Sequence, residues 1–342
     1  MNNKRFFWTG GLFLLLLFSI ILTIMIGAVK VPIETTVRIL LGHIPFLDID
    51  QNWTSSQDSI IWNLRLPRTF LAILIGAMLS LSGVAFQGIL HNPLAEPYIL
   101  GVSSGAALGA ATTIIFLNQN LFIGQLTLPF FALIGSLITL GLVLLLSNVK
   151  KQRGNETLIL AGVVIQSLSG AILTFLIAIS GEQMQSIIFW MMGSLANKDW
   201  IDIFIILPIF IIGMIYLFTQ SRVLNVMALG ERAAIHLGVN VARKKLIILI
   251  VASMLAASAV SIVGIIGFVG LVIPHLIRLL IGPDHRILLP VSTLAGAIFL
   301  LWTDTLARIV IDSREVPIGV LTAFIGAPVF AYFLRKGLKE GS

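Results

Sequence analysis

The chain has 342 residues, of which 58% are hydrophobic and 11% are charged, and its formal net charge is +7. Soluble domains carry roughly 25% charged residues, so this composition excludes an ordinary soluble domain. The chain contains no cysteine, which excludes disulfides, thiolate catalysis and metal sites built on cysteine.

Nine stretches of the sequence contain no Asp, Glu, Lys or Arg, and each is about as long as a membrane helix. A helix needs about 20 apolar residues to cross a bilayer, so nine such windows cannot form the core of a soluble domain. The first window is longer than the apolar region of a typical signal peptide, and we interpret it as a retained span. The windows are 12–29, 69–86, 99–117, 126–147, 158–179, 203–218, 246–266, 287–303 and 316–334.

The long apolar stretch 246–281 is predicted to contain two helices. A single helix of this length would extend roughly 54 Å at 1.5 Å per residue, far beyond the hydrocarbon core of about 30 Å. Gly264, Gly267, Gly270 and Pro274 favour a break within it. Dividing the stretch raises the number of predicted spans to ten.

Ten spans place both termini on one side, and the charge distribution indicates the cytoplasm, where Lys and Arg accumulate. This orientation puts 15 of the 22 basic residues inside, so the pI near 10 reflects topology and not a nucleic-acid partner. The predicted fold is an all-α integral membrane bundle of ten transmembrane helices forming a single domain, 1–342. The predicted spans are approximately 12–29, 64–87, 97–117, 122–147, 157–180, 201–219, 246–266, 268–281, 287–310 and 316–334, with 220–245 as the longest cytoplasmic loop.

Several kinds of chemistry are missing from the sequence. No phosphate-binding loop of the form GxxxxGK[ST] occurs, so the chain is not expected to hydrolyse ATP by itself. The five histidines are scattered without the spacing of a metal site, and we expect neither a metal nor a catalytic residue. The middle of every long span lacks the charged residues typical of proton- and sodium-coupled carriers. An ion-coupled secondary transporter remains an alternative function, because backbone carbonyls can also bind sodium.

A series of short motifs runs from about residue 60 to the C-terminus. In this order and spacing the motifs resemble the permease subunits of the iron–siderophore, haem and cobalamin ABC importers. Any one motif would be weak, but the ordered set is specific. The motifs are Arg65-Leu-Pro-Arg68, His91-Asn-Pro-Leu-Ala-Glu-Pro97, Leu100-Gly-Val-Ser-Ser-Gly105, Ala228-Leu-Gly-Glu231, Gly267-Phe-Val-Gly-Leu-Val-Ile-Pro-His275, Glu315-Val-Pro-Ile-Gly319 and Gly326-Ala-Pro-Val-Phe330.

The resemblance implies a transport subunit in the bacterial cytoplasmic membrane, with ten helices and no cofactor of its own. It implies a second permease (another copy or a paralogue), two cytoplasmic ATPase subunits that use ATP, and an extracytoplasmic substrate-binding protein or lipoprotein. We expect an iron(III)–siderophore-type chelate as the cargo. Haem and cobalamin remain alternatives, because nothing in the sequence chooses decisively among the three.

The loop 220–245 carries the Ala-Leu-Gly-Glu…Leu-Gly string. In the family this region forms coupling helices that dock on the ATPase. The alternative is an ordinary basic loop held by Arg243, Lys244 and Lys245, but the motif lies outside that basic cluster. The residues predicted to couple to the ATPase are Ala228, Leu229, Gly230, Glu231, Ala234, Leu237 and Gly238.

Three arginines, Arg65, Arg68 and Arg308, fall on the predicted outer side, which should be depleted of positive charge. In the family, arginines at matching positions meet glutamates of the binding protein, in pairs suited to bidentate contact. Docking is therefore the predicted role of all three. The alternative for Arg308 is an ion pair with Asp304 four residues earlier, whereas Arg65 and Arg68 have no such local partner in the sequence.

Asn155 and Glu156 lie between the fourth and fifth predicted spans, at the position of the family's cytoplasmic gate. Cobalamin transporters have small hydroxyl residues there, so this sequence departs from the pattern. A solvated turn is the alternative to a gate.

Overall fold

The computed structural model describes residues 2–27, 29–44, 50–117, 126–147, 155–311 and 315–340. All regular secondary structure in these residues is helical, with a π-helical turn at Ser59–Arg65 and 3₁₀ turns at Pro97–Leu100 and Gly181–Gln183. The α-helices are α1 (Asn2–Met25), α2 (Ile33–Gly42), α3 (Ser55–Asp58), α4 (Leu66–Leu90), α5 (Val102–Phe116), α6 (Thr127–Ser147), α7 (Asn155–Ile179), α8 (Met184–Met191), α9 (Trp200–Thr219), α10 (Ser221–Met227), α11 (Glu231–His236), α12 (Val241–Val263), α13 (Val269–Ile281), α14 (His285–Ile309) and α15 (Ile318–Glu340).

Within the described residues, seven helical segments are long and apolar enough to cross a membrane. Three shorter apolar helices accompany them: Val102–Phe116, Val269–Ile281 and Ile318–Phe333. The predicted all-helical membrane fold is confirmed at this level. The seven long segments are Phe7–Met25, Ser55–Leu90, Thr127–Ser147, Asn155–Ile179, Trp200–Thr219, Val241–Val263 and His285–Ile309.

Helix α4 is the most enclosed element, because α9, α12, α13 and α14 all pack against it. The sequence prediction begins this span at residue 64, but helical structure starts at Ser55. Thr54 caps that start: its hydroxyl accepts from the Gln57 backbone N–H, and the Gln57 side chain accepts from the Thr54 N–H. The π-helical turn then leads directly into α4.

Glycines set the closest helix crossings in the bundle. A Cβ added to Gly83 of α4 would lie 1.8 Å from the carbonyl oxygen of Gly270 in α13. A Cβ added to Gly76 would lie 2.2 Å from the carbonyl oxygen of Gly296 in α14. Small residues let membrane helices approach to backbone contact, and these two pairs fix α4 against both neighbours.

The stretch 246–281 contains a break between α12 and α13. Gly264 has φ 79° and Phe268, which precedes α13, has φ 68°. The left-handed conformation is easy for glycine but strained for phenylalanine. Helix α13 has 13 residues and is therefore only about 20 Å long.

Two groups of polar residues lie at opposite ends of α4. Arg68 is in its first turn and Leu90 is its last residue, which separates them by about 33 Å along the helix. The first end meets the C-terminal ends of α1 and α14, and the second meets the start of α7 and the 220–245 loop.

Candidate functional site

At the N-terminal end of α4, the three predicted docking arginines lie close to two carboxylates. We call Arg65, Arg68, Arg308, Asp304 and Glu315 the arginine cluster. The Arg68 guanidinium donates to Asp304 through Nε and Nη2, at 3.0 and 2.9 Å. Its Nη1 donates to Glu315 Oε1 at 2.8 Å. Arg68 therefore holds two carboxylates at once, in the bidentate manner that arginine favours.

The ion pair between Arg308 and Asp304, which the sequence offered as the alternative to docking, is present. Arg308 Nε lies 3.3 Å from Asp304 Oδ2, and Arg308 Nη2 donates to Thr305 Oγ1 at 3.1 Å. The Asp304 carboxylate is fully buried and serves both Arg68 and Arg308. A buried carboxylate between two guanidiniums is compensated for the loss of its hydration.

Arg65 lies beside these residues but bonds elsewhere. It is buried, and it donates to the carbonyl oxygens of Ile24 at 2.9 Å, Met25 at 3.4 Å and Val29. The last carbonyls of a helix have no intrahelical partner, so Arg65 caps the end of α1. Arg65 and Arg68 thus have no partner four residues away, as the sequence indicated, but both have partners on this chain that lie 36 to 247 positions away.

A cavity of about 410 Å³ opens beside the arginine cluster. Among the residues that line it are Arg65, Arg68, Arg308, Glu315 and Lys198. Four basic side chains against one lining carboxylate give the cavity a positive character, although Asp304 balances part of the charge from behind. The cavity suits an acidic group that arrives from outside the chain.

At the opposite end, α10 is attached to the body of the bundle. Asn225 Nδ2 donates to Asp284 Oδ1 at 2.6 Å, and Asn225 Oδ1 accepts from the His285 backbone N–H at 2.8 Å. His91, just after α4, lies 2.6 Å from the Met227 carbonyl oxygen through its Nε2. The Arg286 side chain holds the pKa of the Asp284 carboxyl down, at about 2, so the capping carboxylate of α14 stays ionised.

Helix α11 contains two of the predicted coupling residues, Glu231 and Ala234, and the other five flank it. Gly230 and Gly238 bound it with φ 104° and 82°, conformations that only glycine adopts readily. Ala234 is buried under the helix, while Leu229 and Leu237 are 70% and 63% exposed. Ala228, before Gly230, is also exposed. The loop thus presents a short helix between two glycines, with leucines directed outward.

A buried lysine joins this helix to the predicted gate. The Lys245 ammonium donates to Glu231 Oε1 at 2.8 Å and also to Asn155 Oδ1. Asn155 Nδ2 in turn donates to the Leu90 carbonyl oxygen at 3.0 Å. We call these residues (Lys245, Glu231, Asn155 and Leu90) the lysine network. Glu156 is exposed and stays outside the network.

Sequence reasoning missed Lys245, which it treated as one of three orienting charges. A signal was available, because Lys245 precedes Ile248, Leu249 and Ala252 at the spacing of one helix face. All of these residues are buried. Glu315 was noticed only as part of a motif, and nothing in its spacing pointed to Arg68. Within the described residues, no cluster of three or more His, Asp or Glu side chains could hold a metal ion.

Glu96 lies in the connection after α4, and its carboxyl should make the stability of the folded protein depend on pH. Burial raises the pKa of its carboxyl from 4.5 to about 7. A carboxyl with a raised pKa in the folded state costs stability as pH rises from about 4.5 through 7. We expect Glu96→Gln to raise the Tm of the detergent-solubilised protein at about pH 8 but not at about pH 4. The exposed Glu182→Gln is the control, and equal Tm changes for Glu96→Gln at both pH values would contradict the expectation.

Comparison with known proteins identifies the chain's relatives. The model of the FecCD transport family matches residues 15–336. The uncharacterised ABC transporter permease YvrB of Bacillus subtilis is 46% identical over 342 residues, which cover 99% of this chain and 96% of the relative. The cobalamin import permease BtuC of Halobacterium salinarum is 44% identical over 276 residues, covering 81% and 73%.

A solved structure supports the same relationship at the level of the fold. An inward-facing ABC transporter described as of metal-chelate type matches with a TM-score of 0.81 and 35% sequence identity. The match covers 96% of this chain and 98% of that chain. The resemblance inferred from the motifs is therefore confirmed. The chain belongs to the FecCD transport family and is a multi-pass permease subunit of an ABC importer in the bacterial cytoplasmic membrane.

Proposed function

We propose that this permease carries an iron(III)–siderophore-type chelate into the cytoplasm. The observation that supports a chelate importer best is the family match over residues 15–336, together with the likeness to the metal-chelate type transporter. An extracytoplasmic binding protein or lipoprotein delivers the chelate. Two partner ATPase subunits supply the energy, because this sequence has no phosphate-binding loop.

The proposal includes a topology of ten spans with both termini in the cytoplasm. Seven long apolar helical segments, together with the shorter α5, α13 and the part Ile318–Phe333 of α15, support this number. The basic bias of the cytoplasmic side supports the orientation. The arginine cluster then lies on the outer side, and the lysine network lies on the cytoplasmic side.

The exposed face of α11 supports an ATPase partner at the loop. Leu229, Ile235 and Leu237 are 70%, 48% and 63% exposed, although this loop is expected to face water. Exposed apolar residues on and directly beside a short helix indicate a binding surface for another protein. The two flanking glycines define the helix as a separate element that an ATPase groove could hold.

We expect Glu231→Arg and Gly230→Pro each to uncouple transport from ATP hydrolysis without removing the protein from the membrane. Glu231→Arg would set two cations side by side in the lysine network, and proline cannot adopt the φ of 104° at Gly230. The measurement is transport per ATP hydrolysed by the reconstituted complex. Glu182→Arg, which reverses an exposed charge outside the loop 220–245, is the control. Normal coupling in both test variants would contradict the assignment of α11 to the ATPase interface.

For the binding protein, we propose docking of acidic residues at the arginine cluster. Arg68 and Arg308 are the better candidates, while Arg65 already serves three carbonyls of its own chain. Glu315 is 45% exposed and occupies one edge of Arg68. An incoming glutamate would take its place beside Arg68.

This exchange predicts that Glu315→Gln tightens docking, because the incoming carboxylate no longer competes with an anion of this chain. We expect the Kd for the binding protein to fall several-fold at low salt, and the gain to shrink as salt screens the charges. The distant Glu182→Gln should leave the Kd unchanged. A weaker complex with Glu315→Gln would show that Glu315 itself orients the docking surface.

A second copy of this chain or a paralogue is the proposed permease partner. The supporting feature is an apolar cavity of about 620 Å³ between the end of α8, the connection from α12 to α13, and α15; it is lined by residues such as Met192, Phe268 and Phe324. Phe324 is largely exposed on the single chain, which fits a surface that another membrane subunit covers. Purification of a transport-competent complex with one permease copy would contradict the paired assembly.

The cargo is tested by uptake into proteoliposomes that contain the permease, its ATPase and its binding protein. Relatives of this chain are named for other cargoes, among them cobalamin, hemin in Yersinia pestis and molybdate in Haemophilus influenzae. The panel therefore contains a ferric siderophore, haemin, cobalamin and molybdate. We expect uptake of the ferric siderophore alone, dependent on ATP and insensitive to ionophores. Uptake driven by an ion gradient without ATP would favour a secondary transporter instead.

A further inference from the structure

The lysine network connects four helices, α4, α7, α11 and α12. Lys245 belongs to α12 and is only 5% exposed. Its ammonium contacts Glu231, the first residue of α11, and Asn155, the first residue of α7. Through the Asn155 amide the connection continues to the Leu90 carbonyl oxygen at the end of α4. A single buried cation thus touches the proposed ATPase-binding helix and the predicted gate at once.

The loop has a different attachment on each side of Gly230. Helix α10 is held to α14 through Asn225 and to the end of α4 through His91. Helix α11, beyond the glycine, directs Glu231 to Lys245. A displacement of α11 about Gly230 can therefore leave these attachments of α10 in place. Among the described residues, the ion pair that joins α11 to the rest of the protein is the one between Glu231 and Lys245.

The charge on Lys245 makes this contact expensive to break. A buried ammonium is stable only when it is paired and hydrogen-bonded. Glu231 supplies the negative charge, whereas the neutral Asn155 supplies only a hydrogen bond. If α11 moves, the ammonium follows Glu231 or loses its counter-ion. Following Glu231 changes the hydrogen bond that holds the first residue of α7.

We propose that Lys245 is a positioning residue that transmits displacement of α11 to the start of α7. The proposal rests on the function proposed above, and it adds the route by which the ATPase-facing helix acts on the cytoplasmic gate. Asn155 is the receiving residue, and Glu231 is the residue through which the movement enters.

The first test compares Lys245→Met with Lys244→Met in the complete complex reconstituted with ATPase and binding protein. Lys244 is the neighbouring lysine, and it contacts Gln220 at 2.8 Å instead of the network. We expect Lys245→Met to retain assembly and ATP hydrolysis but to lower transport per ATP at least tenfold. Lys244→Met should couple normally. Wild-type coupling in Lys245→Met would overturn the proposal, whereas absent ATP-driven uptake by the wild-type complex would overturn the proposed function itself.

The second test measures movement directly and does not depend on transport. The chain has no native cysteine, so spin labels can be placed at Arg232→Cys on α11, outside the three apolar residues proposed to bind the ATPase, and at Leu160→Cys on α7, both of which are exposed. We expect the distance between the labels to stay the same in the nucleotide-free and ATP-trapped complexes, because the two helices move together. With Lys245→Met the distance should change or broaden between the two states. If the distribution of label distances in Lys245→Met stayed narrow and unchanged between the two states, α11 and α7 would not be linked through Lys245. This conclusion would hold even if Lys245→Met lowered transport by perturbing the fold.

Discussion

Replacing Asp304 with asparagine should be among the most destabilising isosteric changes in this protein. The substitution keeps the shape of the side chain but leaves the buried Arg308 without its carboxylate and Arg68 with Glu315 alone. Removing one partner of a buried ion pair costs about 3–5 kcal/mol. We expect a loss of unfolding free energy of about 3 kcal/mol or more, measured by denaturation in mixed micelles.

The control for this change is Glu315→Gln, which removes the other carboxylate that contacts Arg68. Glu315 is 45% exposed, and exposed pairs contribute only about 0–1 kcal/mol. Each variant removes one negatively charged partner of the Arg68 guanidinium. A difference between their losses of unfolding free energy therefore reports the effect of burying the carboxylate. Equal losses would mean that Asp304 is hydrated in the membrane-embedded protein.

The second large effect is expected from Gly83→Ala. Its Cβ would lie 1.8 Å from the Gly270 carbonyl oxygen, a distance that only a shift of α4 or α13 can relieve. Overpacking a well-packed interior usually costs about 1–3 kcal/mol, and backbone against backbone leaves no flexible side chain to yield. We expect a loss of about 3 kcal/mol, together with poor recovery of the folded protein from membranes.

Gly170→Ala is the matched control within another long apolar helix, α7. Nothing lies within 4 Å of the added Cβ, so alanine should stabilise the helix by about 0.5–1 kcal/mol. The same replacement of glycine by alanine is therefore expected to lower the unfolding free energy at position 83 and to raise it at position 170. A harmless Gly83→Ala would indicate that α4 and α13 are farther apart in the assembled transporter.

The helical architecture was accessible from the sequence because the bilayer imposes it. A span must be apolar over its whole length, so windows without charge reveal spans without knowledge of their neighbours. The break between α12 and α13 was accessible for a similar reason, since a helix of 36 residues would exceed the membrane. The early helices α2 and α3 were missed, because the connection that contains them is too polar and irregular to show a membrane period.

The partners of the charged residues could not be predicted from the sequence, because they lie on helices that are distant along the chain. Arg68 contacts Asp304 across 236 positions of sequence, and Lys245 contacts Asn155 across 90. Such contacts depend on which helices pack together, and no local pattern records that choice. Motif recognition pointed to residues at both ends of the bundle, and their roles stay predictions. The sequence showed no local partner for Arg65, whose acceptors at the end of α1 lie 36–41 positions earlier.

The capping of α1 by Arg65 affects the order in which the helices can insert into the membrane during translation. Acceptors for Arg65 lie on the preceding span, so this pair of helices can satisfy the guanidinium as soon as the second span leaves the ribosome. Arg68 must wait for Asp304, 236 residues later, or about 12–47 s at a translation rate of 5–20 residues per second. During that interval its charge has to reach the headgroups or water. The first two spans can therefore insert as a preassembled hairpin, while the rest of the arginine cluster closes only when the ninth predicted span arrives.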